Sequence, residues 1–178
     1  MKNIEDYIKL CGNTPLIRIT DKIYAKLETY NPTGSVKDRV VSYLLDSAIK
    51  TGDVNKKTIL CEATSGNTGI ALSAMAAKLG LECLIFMPGN MSKERKQMMS
   101  SYGAKFIDAP DDDFQAAIDM RNEFIRENRN VWSPMQFSNP VNVECHWNVT
   151  APEIDTQVKD MGKTWGAFVH GSGTGTDG

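Results

Sequence analysis

Short apolar runs alternate along the chain with longer stretches of helical periodicity. Residues 24–27, 58–61, 83–87, 105–108, 131–132 and 167–169 read as strands. Residues 36–50, 69–79, 92–102 and 112–127 repeat their apolar positions every three to four residues and read as helices. Another helical stretch covers 143–161, with Pro152 expected to interrupt it because proline has no N–H to donate. Glycine and proline mark the joints, among them Gly12, Gly34, Gly52, Gly80, Gly89 and Gly103. Strand–helix alternation of this kind implies parallel strands joined by crossover helices, hence an α/β fold built on a parallel sheet.

One position breaks the pattern. In the helix at 36–50, Val40, Val41, Leu44, Leu45, Ala48 and Ile49 form an apolar stripe, and Arg39, Ser42, Asp46 and Lys50 lie on the opposite face, the expected solvent side. At roughly 100° per residue, Lys37 falls within the apolar stripe. Burying an ammonium is costly, so a lysine there finds a partner or gives up its proton, and a neutral amine is what Schiff-base chemistry requires. A first-turn lysine whose tip snorkels back to water fits the same phase.

Two loops carry the groups that hold anions. Thr64-Ser65-Gly66-Asn67-Thr68-Gly69 follows a strand and opens a helix. A helix N-terminus offers unpaired N–H groups and the positive end of a dipole, and three hydroxyls and an amide add side-chain donors. Ordinary capping would need one such residue, and this loop has more. Gly171-Ser172-Gly173-Thr174-Gly175-Thr176 follows the strand expected at 167–169 and could wrap a phosphate in backbone N–H groups. Its spacing is neither the dinucleotide fingerprint nor a P-loop, so alone it says little.

Composition narrows the function classes. The 178 residues are 41% hydrophobic, enough for one core or for one domain and part of a second. Lys and Arg total 20 against 22 Asp and Glu, so the net charge is −2 and the basic surplus of a nucleic-acid or membrane partner is missing. Cys11, Cys61, Cys83 and Cys145 are scattered, with no zinc spacing, and read as free thiols; no metal site is expected. The first residues lack the apolar core of a signal peptide, and no apolar run has the length of a membrane span, so a cytoplasmic protein is expected. The acidic run at 111–113 opens a helix, where carboxylates complement the dipole.

Taken in order, the motifs resemble one family. Asn31-Pro32-Thr33-Gly34-Ser35-Val36-Lys37-Asp38-Arg39 is similar to the cofactor-lysine segment of the cysteine synthase (O-acetylserine sulfhydrylase) family. Cys11-Gly12-Asn13-Thr14-Pro15-Leu16 resembles its opening segment, and residues 64–69 its substrate-carboxylate loop. Residues 87–95 and Gln136-Phe137-Ser138-Asn139-Pro140 match in order and spacing as well. The resemblance implies the three-layer, fold type II architecture of the tryptophan synthase β-like enzymes, with pyridoxal 5'-phosphate as cofactor. Lys37 would carry the cofactor and act as the catalytic base. Asn67 would hydrogen-bond the cofactor ring oxygen, and Gly173, Thr174, Gly175 and Thr176 would cradle its phosphate. Thr64, Ser65, Thr68 and Gln136 would bind the amino-acid carboxylate. The reaction implied is β-replacement on O-acetylserine or O-phosphoserine by sulfide, giving cysteine. A homodimer, and use of the carboxylate site by the C-terminal tail of serine acetyltransferase, are implied in the same way.

The resemblance also divides the chain. Residues 1–39 would hold the first strands and the cofactor lysine of a large domain, 40–140 a small α/β domain with the carboxylate loop, and 141–178 the start of a C-terminal domain left incomplete. Family chains continue further, so a fragment, a truncated gene product and one piece of a split enzyme all fit. There is one local departure: where the family has a Gly-Thr pair in the phosphate loop, this chain has Thr176 and Asp177, and a carboxylate beside a phosphate is repulsive. Two alternatives stand beside the main reading. One is β-replacement of the cystathionine β-synthase type; the other is a non-catalytic remnant that binds through the carboxylate loop. Dehydratases of the same fold usually carry histidine where this chain has Thr68.

Overall fold

The structure of the chain, a computed structural model, describes residues 4–171 and Gly173. It opens with a single helical turn, α1 (Glu5–Ile8), and an antiparallel pair, β1 (Leu16–Arg18) and β2 (Tyr24–Lys26). A 3-10 turn at Glu28–Tyr30 leads into α2 (Lys37–Thr51). Then come β3 (Ile59–Ala63), α3 (Asn67–Leu79), β4 (Cys83–Pro88), α4 (Lys93–Ser101), β5 (Lys105–Ala109), α5 (Phe114–Glu127) and β6 (Val131–Trp132). The last described elements are α6 (Val141–Cys145), a π-helical turn at His146–Thr150, and α7 (Ala151–Asp160).

β3 to β6 form one parallel sheet in the order β5-β4-β3-β6. Every residue of β4 is buried, as expected of an inner parallel strand covered on both faces. On one face, Leu60, Ile85 and Met87 pack with Val41 and Leu45 of α2 and with Ile70, Leu72 and Met75 of α3. On the other, Cys61, Ala63, Leu84 and Phe86 pack under Ala117 and Phe124 of α5. Burying a side chain the size of Leu45 or Phe86 contributes about 1.5–3 kcal/mol. α2 and α3 end at Gly52 and Gly80, whose φ values of +88° and +72° are the left-handed stops that glycine adopts without strain.

Three expectations from the chain's pattern are corrected. Arg39 and Ser42 are not on a solvent face: they are 2% and 3% exposed, because α1, the 3-10 turn at Glu28–Tyr30 and α7 lie over that side of α2. The periodicity of one helix cannot register a cover that comes from distant segments. Pro152 does not interrupt its helix. It sits in the first turn of α7, and the wider π turn just before it makes room for the ring. Residues 167–169 are not a strand. They lie in exposed, irregular chain, and among the described residues no strand pairs with them, so the β-forming run has no ladder to join.

Candidate active site

The lysine segment is built from both ends. Asn31 is buried and bridges two stretches: its Oδ1 accepts from the Gly12 N–H at 2.8 Å, and its Nδ2 donates to the Glu28 side chain at 2.7 Å. Gly34 turns the chain with φ +88°. Asp38 then fastens the turn, its carboxylate accepting from the Thr33 N–H at 3.1 Å, the Thr33 hydroxyl at 2.8 Å and the Tyr7 hydroxyl at 3.4 Å. Burial raises the Asp38 carboxyl above its ordinary range, with these donors pulling against it. Lys37 opens α2, its backbone N–H resting on the Ser35 hydroxyl at 3.2 Å and its Nζ closed off from solvent. The amine therefore does not snorkel.

One residue further on, Arg39 joins three segments. Its Nε donates to Glu28 at 2.7 Å and its Nη1 to Glu153 of α7 at 2.7 Å, and Nη2 reaches Thr14 at 3.1 Å. Lys26 of β2 also pairs with Glu153 and donates to Gln157 at 2.7 Å. Burial opposes the Arg39 charge, yet the two carboxylates leave the guanidinium more firmly protonated than usual. Burial likewise pushes Glu153 up, but the hydrogen bonds from Arg39 and Lys26 outweigh it and take the carboxyl down to about 2. Gly12 is required here, because a Cβ would sit 2.8 Å from Arg39 Nη1.

The second half of the site lies at the carboxyl end of β3, where open α/β sheets bind ligands. Thr64 is buried, and its hydroxyl accepts from the Gly66 N–H at 3.2 Å. Ser65 is half-buried, and its carbonyl accepts from Arg95 of α4 at 3.2 Å. Asn67 is exposed at the start of α3. Thr68 is buried and donates its hydroxyl to Gln136 Oε1 at 2.5 Å. Gly69 permits this compact turn, since a Cβ there would stand 2.8 Å from Met99 Sδ and 2.9 Å from Thr64 Cγ2.

Thr68 and Gln136, 68 residues apart in sequence, are thus brought together, and Thr64, Ser65 and Asn67 lie in the same loop. Gly173 is exposed in the chain beyond α7. Thr174, Gly175 and Thr176 lie outside the described residues. The sequence reading overlooked a buried set under Gln136. Glu62 is 1% exposed, and its Oε1 accepts from Arg121 Nη1 at 2.6 Å; Arg121 also donates to the Ser133 hydroxyl at 3.0 Å. Burial raises the Glu62 carboxyl, with the Arg121 charge acting in the opposite direction. Two signals pointed there: an acidic residue between Cys61 and Ala63, and an arginine four residues after the core-facing Ala117.

The residues fit a pyridoxal cofactor as far as they are described. An enclosed lysine amine opens one helix, and a buried hydroxyl–amide pair stands at the start of another packed against it. Among the described residues no cluster could hold a metal ion, and no helix is long and apolar enough to cross a membrane.

Residues 8–177 match the family described as pyridoxal-phosphate dependent enzyme. The chain is 37% identical over 183 residues to the probable cysteine synthase of Bacillus subtilis, covering 98% of this chain and 59% of that protein. A hydrogen sulfide-producing enzyme from Fusobacterium nucleatum superposes with a TM-score of 0.92 at 38% identity, over 98% of this chain and 55% of the other. An O-acetylserine dependent cystathionine beta-synthase from Helicobacter pylori gives a TM-score of 0.85 at 37% identity, over 96% of this chain and 58% of the other. The chain spans little more than half the length of these relatives.

Proposed function

Because this chain belongs to the pyridoxal-phosphate dependent enzyme family, we propose that it serves a cysteine synthase, replacing the β-substituent of O-acetylserine or O-phosphoserine with sulfide. The observation that carries the reading is the buried 2.5 Å contact between Thr68 and Gln136, two residues assigned to one ligand from motifs 68 residues apart.

The bound cofactor supplies an electron sink for the charge that develops at the substrate Cα. Lys37 would hold the cofactor through Nζ, and the same amine, when free, would take the substrate Cα proton and later return it. The Gln136 amide, held by the Thr68 hydroxyl, and the first N–H groups of α3, that of Thr68 among them, bind the substrate carboxylate, with the helix dipole adding to the attraction. Thr64 and Ser65 complete that loop, and Asn67 would hydrogen-bond the cofactor ring. Gly173, Thr174, Gly175 and Thr176 would hold the phosphate. Burial of Thr64, Thr68 and Gln136 keeps water from the carboxylate side of the site.

The working arrangement is a homodimer whose carboxylate site also receives the C-terminal tail of serine acetyltransferase; family resemblance supports both. Residues 1–39 and 141–178 contribute to a large domain and 40–140 to a smaller one. We place the protein in the cytoplasm, where its four free thiols stay reduced. The relative from Helicobacter pylori favours a second reading, in which a thiol amino acid replaces sulfide as nucleophile.

The test is Lys37→Ala in the cofactor-loaded protein. The variant should lose the yellow absorbance and all turnover, and a borohydride-reducible cofactor adduct surviving in it would refute the assignment. Supplying homocysteine against sulfide to the parent separates the two nucleophiles.

A further inference from the structure

We propose that Glu62 and Arg121 are positioning residues for the substrate carboxylate, acting through Gln136; the proposal rests on the carboxylate reading of the Thr64–Thr68 loop. The ladder between β3 and β6 ends where Leu60 meets Trp132. Beyond that point no strand among the described residues neighbours Glu62 on this side, and its side chain takes over the role of the ladder. Glu62 Oε2 accepts from the Gln136 N–H at 3.3 Å while Oε1 holds the Ala63 N–H at 2.8 Å and the Arg121 guanidinium at 2.6 Å. Arg121 in turn fixes the Ser133 hydroxyl, which accepts from the Met135 N–H at 3.3 Å.

The turn held in this way is strained. Met135, immediately before Gln136, has φ +51°, a left-handed conformation that a side-chain-bearing residue keeps only when its surroundings impose it. Glu62, Arg121, Ser133 and Gln136 are all buried, so water cannot take over any of these bonds. Gln136 is held from the far side as well, its carbonyl accepting from Asn142 Nδ2 at 3.0 Å. With Oε1 already accepting from Thr68, the donors of the Gln136 amide are what it can offer a carboxylate. Their direction is set by the backbone that Glu62 and Arg121 hold. Neither residue touches the substrate.

The test uses the cofactor-loaded protein and compares half-saturation by O-acetylserine, read from the change in cofactor absorbance, with half-saturation by the cofactor itself. Glu62→Gln and Arg121→Met should each raise the first about tenfold, the size expected for one lost hydrogen bond to an ionised group, and leave the second unchanged. Arg121→Lys should recover part of the loss. In a Gln136→Ala background, Glu62→Gln should add nothing further.

Additive losses in that cycle would overturn the proposal, as would a fall in thermal stability and cofactor affinity with no selective change in amino-acid binding. Should Glu62→Gln fail to fold, Ser133→Ala loosens the same turn without stranding a charge, and unaltered O-acetylserine binding in it overturns the proposal equally. If Gln136→Ala itself binds O-acetylserine like the parent, the carboxylate reading of Gln136 fails and takes this proposal with it. That differs from failure of the proposal alone, in which Gln136→Ala is impaired and Glu62→Gln is not.

Discussion

Glu153→Gln removes the carboxylate that ties α7 and the β1–β2 arm to the first turn of α2. Its two strongest partners are Arg39 and Lys26, and its side chain is 14% exposed, so solvent screens the pair only weakly. A carboxyl moved from 4.5 to about 2 is worth about 3 kcal/mol of folded-state stability at neutral pH. Because the folded value is the lower one, this contribution is complete above about pH 4.5 and disappears as the pH falls toward 2. The gap in unfolding free energy between parent and variant should therefore narrow from about 3 kcal/mol at pH 7 to about 1 kcal/mol at pH 3. Urea unfolding followed by circular dichroism at a series of pH values measures it, and taking the difference cancels the titrating groups that lie away from the Arg39 cluster. A gap that stays constant, or widens toward acid, would refute the reasoning. At neutral pH the variant should also bind the cofactor less tightly, since the first turn of α2 carries Lys37.

Thr68→Ala removes a buried hydroxyl that bonds Gln136; it should weaken O-acetylserine binding by ~0.5–1.5 kcal/mol in a spectral titration and leave cofactor binding nearly intact. Gly69→Ala places a methyl within 3 Å of both Met99 and Thr64; thermal unfolding should show a loss of about 1–3 kcal/mol, and the displaced loop should also bind amino acid more weakly. Amide exchange should be slowest in β3, β4 and α3 and fast across 164–171, where the chain is exposed and carries no ladder or helix; equal protection of the two regions would contradict the packing described.

The parallel sheet and its helices were legible because each strand is a short apolar run and each helix has one apolar stripe. β3, β4 and β5 lie within two residues of their expected bounds at either end. The phase of Lys37 set it among the apolar positions of its helix but suited a snorkelling lysine equally well; that the amine is enclosed is visible only in the packing. The run at 167–169 failed as a strand because β-forming composition does not provide a neighbour. Arg39 failed in the opposite direction: its phase points away from the α2–α3 core, toward segments that begin near Gly12 and Glu153. Glu62 was overlooked because the apolar run was taken to end at Cys61, although the strand continues to Ala63. Local pattern records what an element buries against its own sheet. It does not record ion pairs that close over it from residues 59 or 114 positions away.

Those two buried clusters occupy telling places. Breaking a buried ion pair by removing one partner is costly, but replacing the whole pair with well-packed apolar side chains is often neutral or stabilising. A buried pair is therefore an inefficient way to hold a fold together. Its directional hydrogen bonds set geometry in a way that apolar packing does not. One cluster begins two residues after Lys37 and fixes the start of α2. The other begins two residues before Thr64 and fixes the turn that ends in Gln136. The two hydrophobic layers on the sheet contain no residue of either cluster. Precise placement of an amine at the first turn of a helix and of an amide in an irregular turn is the demand that both clusters meet.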